Sequence, residues 1–487
     1  MVHSSGPSMA ALGSELDRLA PALMADWKVP GAALAVVQDG QILLTRAYGQ
    51  RDLESGLPVT AATRFLICSI TKSFTATALA LLHHEGRLDW TRPVRDYLPE
   101  FRLHDPVATE RLTVRDLLTH HSGLPAHDWM YLPGDRSPAR MMADMRHLEP
   151  NLDIRTAHQY SNLGYNVLGL LIERVGDTTY EAFVRARLGD RLGMTLGFTL
   201  DELEASPEPA QPYMVREDVP QPAPRLPFRP VAAGGISTSV ADLAHWMRLH
   251  LGRGEIDGQR LLPAALVDML HAPHVHCPNS AGGEFGEAHY GFGFRCHSYR
   301  GDRLVFHGGG LPGWGALMTL VPDAGIGIAV LTNRSPNEGV ARPLTWHVID
   351  RLRGREPIDW RARGRVQREQ ARAWMQAYRA EQARARHPGT RPAHALGAYG
   401  GRYLHPAYGL MTIEARDDTL HWSWRGMSAT LQHRHHETFE LPAALHPLLP
   451  DGLPLSFLTD RDGNVASLGV PFEPLVKDIL FVRSESA

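Results

Sequence analysis

Two blocks of apolar residues flank Gln38-Asp39-Gly40-Gln41 between Gly31 and Tyr48. An Asp-Gly pair between such blocks suits the two-residue primed turn of a β-hairpin. A second pair of apolar runs, from Ala316 to Thr332, turns at Pro322-Asp323-Ala324-Gly325. Between the hairpins the period changes. Phe74, Ala78, Leu81 and Leu82 recur at helical spacing up to a stop at Gly86, and Leu163, Val167, Leu170, Leu171 and Val175 do so up to Gly176. Helical stretches continue through Val184. Strands near both ends of this region, with helices between, predict an α+β fold in which one antiparallel sheet is flanked by helices.

After Ala395 the pattern turns to short strands: Tyr399-Gly400-Gly401-Arg402-Tyr403, Leu410-Met411-Thr412-Ile413-Glu414 and Thr419-Leu420-His421-Trp422-Ser423-Trp424. A small C-terminal antiparallel β-barrel is the predicted outcome, and Pro388-Gly389-Thr390-Arg391-Pro392 marks the boundary before it. Upstream, eight arginines fall between Arg361 and Arg386 against Glu369 and Glu381. A basic helix can bind acidic surfaces, but a solvated linker helix is the simpler reading. The chain thus divides into a large domain over residues 1–355, a basic helical linker over 356–394 and the barrel over 395–487. Within the large domain, Asp201 to Pro230 is acidic and proline-rich, with Pro207, Pro209, Pro212, Pro220, Pro222, Pro224, Pro227 and Pro230. It reads as an irregular excursion over a cleft or as a plain surface insertion.

The helix that carries Phe74 opens with the most informative residues. Ser69 and Lys72 stand three apart at its start and share a face, so the lysine amine can reach the serine hydroxyl. Burial makes such an amine useful, because a desolvated ammonium gives up its proton more readily and the neutral amine can accept one from an attacking serine. A serine in a first turn also lies near backbone N–H groups free to favour an oxyanion. Ser-x-x-Lys alone is a common pattern, and a capping serine with a solvent-facing lysine would look the same.

Two further elements raise its weight. Gln159-Tyr160-Ser161-Asn162-Leu163 precedes the second amphipathic run, so that Tyr160 can exchange protons in a cleft while the Asn162 carboxamide orients a substrate amide. Leu304-Val305-Phe306-His307-Gly308-Gly309-Gly310 reads as a strand ending in histidine and glycines, where backbone can approach a ligand closely. Taken singly, these are a capped turn and a flexible loop.

Composition narrows the classes without choosing among them. A formal net charge of −3 over 487 residues gives no global drive toward nucleic acid. Met1-Val2-His3-Ser4-Ser5-Gly6 lacks a basic start followed by an apolar run, and no later stretch would span a bilayer, so a cytoplasmic protein with no membrane partner is expected. Three cysteines, Cys68, Cys277 and Cys296, make no disulfide framework. Cys68, beside Ser69, reads as packing rather than as a second nucleophile. His433, His435 and His436, and His274, His276 and Cys277, lack the spacing of a complete metal site, and neither metal nor cofactor is expected.

Ser69 and Lys72, Tyr160 and Asn162, and His307 and Gly309, in this order, resemble the serine β-lactamase and penicillin-binding-protein superfamily, on its class C β-lactamase, esterase and D-aminopeptidase side. The stretches Leu117-Leu118-Thr119-His120-His121-Ser122-Gly123-Leu124-Pro125 and Ala232 to Leu243 add to the resemblance, which extends from Leu12 to Arg355. It implies that Ser69 is acylated, that Lys72 and Tyr160 manage its proton, and that Asn162 positions substrate. It also implies that His307 serves the catalytic site, that Gly308, Gly309 and Gly310 line the substrate, and that the N–H groups of Ser69 and Gly310 form an oxyanion hole. His307-Gly308-Gly309 stands where drug-hydrolysing members carry Lys-Thr-Gly. The missing cation implies weaker binding of a β-lactam carboxylate, and His-x-Gly looks like D-aminopeptidases and related amidases. A histidine here can bridge to substrate or to Tyr160, and it is expected to change charge near neutral pH. The C-terminal segment is similar to the lipocalin-like domain attached to some of these enzymes, including assemblies in which it screens the active site and joins subunits. The expectation is a serine peptidase or amidase acting on a small peptide or amide through an acyl-enzyme, with acyl transfer where water is excluded, and with self-association through the barrel. An esterase, a penicillin-binding-like sensor that never turns over and an assembly protein are the alternatives.

Overall fold

The computed structural model describes residues 9–132, 134–226, 228, 231–278, 282–335, 338–443, 445 and 452–484. Met1 to Gly6, Pro227 and Pro230, on which parts of the sequence reading fall, lie outside them. The chain divides into two compact units, one comprising Met1–Phe101, Val107–Gly123 and Leu152–Arg365, the other Arg102–Pro106, Leu124–Asn151 and Val366–Ala487.

The first unit is built on the two predicted hairpins. Asp39 and Gly40 both take positive φ, 49° and 76°, which closes Gly31–Gln38 and Gln41–Gly49 over two residues. In the second hairpin Pro322, Asp323 and Ala324 form a 3-10 turn and Gly325 takes φ 61° between Trp314–Val321 and Ile326–Thr332. The hairpins join edge to edge, with Ala32 opposite Thr332 and Gln38 opposite Ile326. Asp302–Leu311, Arg295–Tyr299, Ala288–Tyr290 and Val275–Cys277 extend the sheet to eight antiparallel strands.

Strands that read as apolar runs rather than as alternation are covered on both faces. Every residue of Trp314–Val321 and Ile326–Thr332 is buried. On one face Leu34, Val36, Leu317, Ile328 and Val330 form a core with Leu12, Leu16 and Leu23 of helix Met9–Trp27 and Leu344 and Val348 of helix Glu338–Leu352. On the other, Met247 of helix Val240–Leu251 lies over Gly327, where a Cβ would come within 3.1 Å of its side chain. The proline-rich excursion is more ordered than the sequence suggests. Glu217 and Asp218 both take positive φ and close a short hairpin between Tyr213–Arg216 and Val219–Pro222. Neither residue is a glycine, so the turn carried no glycine signal.

The second unit holds a closed barrel of eight antiparallel strands in sequential order, from Gly401–His405 to Ile479–Ser484. Leu420, Trp422 and Trp424 are buried along one strand, in alternation with Thr419, His421 and Ser423, and Tyr403, Phe457 and Phe481 are buried in the same unit. Leu124–Asn151 belongs to this unit, although local pattern places it in the middle of the large domain. Trp129 packs on Phe472 and Trp424, with ring centroids 5.4 and 6.3 Å apart, and the His127 N–H donates to the Glu473 carboxylate at 2.8 Å. Arg425 pairs with Asp135 and donates to the carbonyls of Trp129 and Met130. Helix Trp360–Arg384 buries none of its side chains, the property of a solvated helix. Among the described residues, no helix is long and apolar enough to cross a membrane.

Candidate active site

Ser69 sits in the 3-10 turn Cys68–Ile70 that runs directly into helix Thr71–His84. Cys68 precedes it with φ 49°, a left-handed conformation costly for a residue with a side chain, of order 1–3 kcal/mol, and so held by its surroundings. The helix is buried from Thr71 to Leu82, with polar positions satisfied one by one. Ser73 Oγ donates to the Ile70 carbonyl and accepts from Trp246 Nε1, and Thr75 Oγ1 donates to the Ala232 carbonyl. Phe74 stacks on Trp246 at 3.9 Å. Cys68 is buried too, and burial pushes its thiol pKa up, which leaves it a protonated packing group.

Lys72 is fully buried. Its Nζ donates to Asn162 Oδ1 at 2.7 Å and to the Ala233 carbonyl at 2.7 Å, and lies 3.3 Å from Ser69 Oγ. Both close partners are acceptors, so a neutral amine can keep an N–H on each and still present its lone pair to the serine. Asn162 reaches this point because Ser161 caps helix Asn162–Gly176, its Oγ accepting from the Gly164 N–H, and the residues on either side of the cap face the cleft. The Tyr160 ring lies 4.6 Å from Nζ and that of Tyr165 5.2 Å.

Behind Tyr160 stands an aromatic cluster. His120 is buried, with its ring 4.4 Å from Tyr160, 5.1 Å from Tyr165 and 4.7 Å from Tyr290. Its Nδ1 accepts the Ser161 N–H at 3.1 Å, which ties the Tyr160 loop to the helix end at Thr119. Burial, with help from nearby positive charge, holds its pKa well below the usual histidine value, so the ring is neutral. Burial likewise pushes His158 down to about 4.

His307 closes the far side. Gly309 Cα comes so near the nucleophile turn that a Cβ there would stand 2.6 Å from the Ile67 carbonyl oxygen and 2.9 Å from Ser69 N. His307 Nδ1 donates to the Gly308 carbonyl at 2.6 Å, which leaves Nε2 to accept from the Tyr290 hydroxyl at 3.0 Å. This corrects two expectations. The imidazole bridges to Tyr290 rather than to Tyr160, whose ring centroid is 6.2 Å away. It also stays neutral, because burial and the charges of Lys72 and Arg295 drive its pKa well below 6.5.

Ser69, Lys72, Tyr160, Asn162, His307, Gly308 and Gly309 therefore converge, and Gly310 follows on the same strand. Ala233, Tyr165, Tyr290 and Arg295 were not singled out as site residues. The only trace of the last two was Tyr290-Gly291-Phe292-Gly293-Phe294-Arg295, a glycine-punctuated aromatic run whose Gly293 packs against the Lys72 carbonyl. The histidine groups weighed as metal ligands make other bonds: His274 joins Arg115 and the Met269 carbonyl, and His433 the His436 carbonyl.

Residues 16–352 match the family model described as Beta-lactamase, and residues 385–483 match a domain of unknown function, DUF3471. The unguisins hydrolase ungD' of Aspergillus campestris is 29% identical over 412 residues, which cover 80% of this chain and 75% of that protein. Protein flp of Staphylococcus aureus is 26% identical over 313 residues, 63% of this chain and 60% of that one. Among solved structures, the octameric penicillin-binding protein homologue from Pyrococcus abyssi aligns with a TM-score of 0.63 at 23% identity, over 98% of this chain and 100% of its own. A penicillin-binding protein from Bacillus halodurans aligns with a TM-score of 0.56 at 25% identity, over 67% of this chain and 98% of its own. With the Ser-x-x-Lys helix, the Tyr-x-Asn loop and the glycine strand gathered at one cleft, and the family model spanning most of its length, the chain belongs to the β-lactamase family, within the serine β-lactamase and penicillin-binding-protein superfamily.

Proposed function

We propose that this chain is a serine hydrolase that cleaves peptide or amide bonds through an acyl-enzyme at Ser69, in the manner of a D-aminopeptidase-like peptidase or amidase. The observation that carries the reading is the buried Lys72 amine, anchored on Asn162 Oδ1 and the Ala233 carbonyl and 3.3 Å from Ser69 Oγ. Ser69 Oγ attacks the substrate carbonyl carbon while its proton passes to Lys72 and Tyr160. The N–H groups of Ser69 and Gly310 take the developing oxyanion, and Asn162 holds the substrate amide. The proton returns to the departing amine, and water or a second amine then releases the acyl group. Gly308 and Gly309 keep this wall free of side chains, and neutral His307 holds the Tyr290 hydroxyl in place. The hydrolase name of the fungal relatives supports hydrolysis, and the histidine in place of Lys-Thr-Gly supports amides over antibiotic rings. Self-association through the barrel belongs to the same proposal, in keeping with the octameric neighbour.

The test is turnover of matched D- and L-residue peptides, amides and esters, with the Ser69 adduct caught by intact-protein mass spectrometry. Amide turnover that disappears in Ser69→Ala is the expected result. Turnover of esters alone makes the protein an esterase, a stoichiometric adduct without turnover makes it a sensor, and absence of any adduct leaves an assembly role.

A further inference from the structure

Arg155 takes φ 66°, a left-handed conformation that glycine adopts freely and an arginine does not, so its surroundings hold it there. Its guanidinium meets one carboxylate edge-on. Nε donates to Asp116 Oδ1 at 3.0 Å and Nη2 to Asp116 Oδ2 at 2.8 Å, and Nη2 also donates to the Arg111 carbonyl at 3.0 Å. Asp116 is buried, and its Oδ2 accepts the N–H and the hydroxyl of Thr113, the cap of helix Val114–Leu118, at 2.9 and 2.7 Å. A planar fork on a carboxylate fixed in this way sets direction as well as distance.

Backbone bonds from the same two residues close a ring around His120. The His121 N–H donates to the Asp116 carbonyl at 2.8 Å, and the Arg155 N–H to the His121 carbonyl at 2.9 Å. His120, inside this ring, is itself left-handed at φ 58°. It receives the N–H groups of both neighbours of Tyr160, that of Gln159 on its carbonyl at 2.8 Å and that of Ser161 on Nδ1 at 3.1 Å. Asn162 has anchors of its own, the Ser161 cap and Lys72 Nζ.

We propose that Arg155 is a positioning residue, which acts through Asp116 and His120 to set where Tyr160 stands beside Lys72. This rests on the acyl-enzyme reading above. An ion pair that served the fold alone would leave the rate of each folded molecule unchanged. One that places a proton-transfer group alters that rate, because reacting groups tolerate little displacement.

The test measures the rate of Ser69 acylation by an activated ester in the full chain, counted per molecule that acylates at the intact-mass end point. Arg155→Gly accepts the left-handed backbone and removes the guanidinium, and it should slow acylation by about 10- to 100-fold. The same change made in Tyr160→Phe should cost little more, because the hydroxyl it positions is already gone. Acylation of Arg155→Gly at the parent rate overturns the proposal, and so does equal slowing with and without the Tyr160 hydroxyl. Either result leaves Ser69 as the nucleophile. A parent in which Ser69 does not acylate overturns the acyl-enzyme reading and this proposal with it. If Arg155→Gly does not fold, Asp116→Asn takes its place, with the same expected and overturning results.

Discussion

Gly309→Ala should disable the nucleophile without touching any group that takes part in proton transfer. The added Cβ would stand 2.6 Å from the Ile67 carbonyl oxygen, 2.7 Å from Cys68 Cβ and 2.9 Å from Ser69 N. Non-bonded carbon atoms settle at about 3.5–4.0 Å, so strand and turn must part by somewhat under about 1 Å. No flexible side-chain tip is available to yield. Two of the three atoms are backbone, and the third belongs to buried Cys68, already held at φ 49°. Misplacement on this scale costs about 100-fold in rate, and overpacking of this kind about 1–3 kcal/mol in stability. At Gly308 and Gly310 the nearest atoms to an added Cβ are 3.9 Å away, an ordinary contact. The assay is the rate of Ser69 labelling by a fluorophosphonate, followed by intact mass, beside thermal unfolding of each variant. Gly309→Ala should label far more slowly than Gly308→Ala or Gly310→Ala. Labelling of Gly309→Ala at the parent rate with unchanged Tm, or equal slowing in all three variants, would refute the close approach as the reason for the glycine.

The catalytic unit should lose stability as pH falls below the range of free histidine. His120, His250, His271 and His307 are buried with pKa values driven down by burial, His271 to about 3, so the unfolded chain takes up protons that the fold excludes. Their stabilising contribution is complete above about pH 6.5 and shrinks at lower pH by up to about 1.4 kcal/mol per unit for each such group. His250 and His271 share a hydrogen bond of 3.1 Å and are counted as one pair. Urea midpoints should fall steeply between about pH 7 and about pH 5, and a flat profile there would count against neutral burial. Truncation after Arg386 should expose Trp129, whose partners Trp424 and Phe472 are then removed. Loss of a buried tryptophan's packing costs about 3–5 kcal/mol, so residues 124–151 should become protease-sensitive. A truncated chain as resistant there as the parent would show that the segment holds itself.

Much of the first unit was legible because its signals are local. Asp39-Gly40 names a primed turn from two residues, and the apolar runs it joins are strands wherever they pair. Ser69 and Lys72 share a face by helical spacing alone, and Ser161 places Tyr160 and Asn162 at a helix entrance through capping. The missed elements lack such a signature. The turn at Glu217-Asp218 has no glycine, and Asp177, not a glycine, takes the left-handed position after helix Asn162–Gly176.

What pattern and spacing could settle were the two hairpins, the helical runs beside the site, the barrel and the three motifs, each a matter of a few neighbouring residues. Tertiary structure alone decided that Ala233 anchors the lysine, that Tyr290 rather than Tyr160 meets His307, that Arg295 lies against the Tyr160 ring, and that Leu124–Asn151 joins the barrel's unit. Each of these is a contact between residues far apart along the chain. Periodicity says which face of an element is buried; only the register of the sheet and the packing of helices upon it say against what.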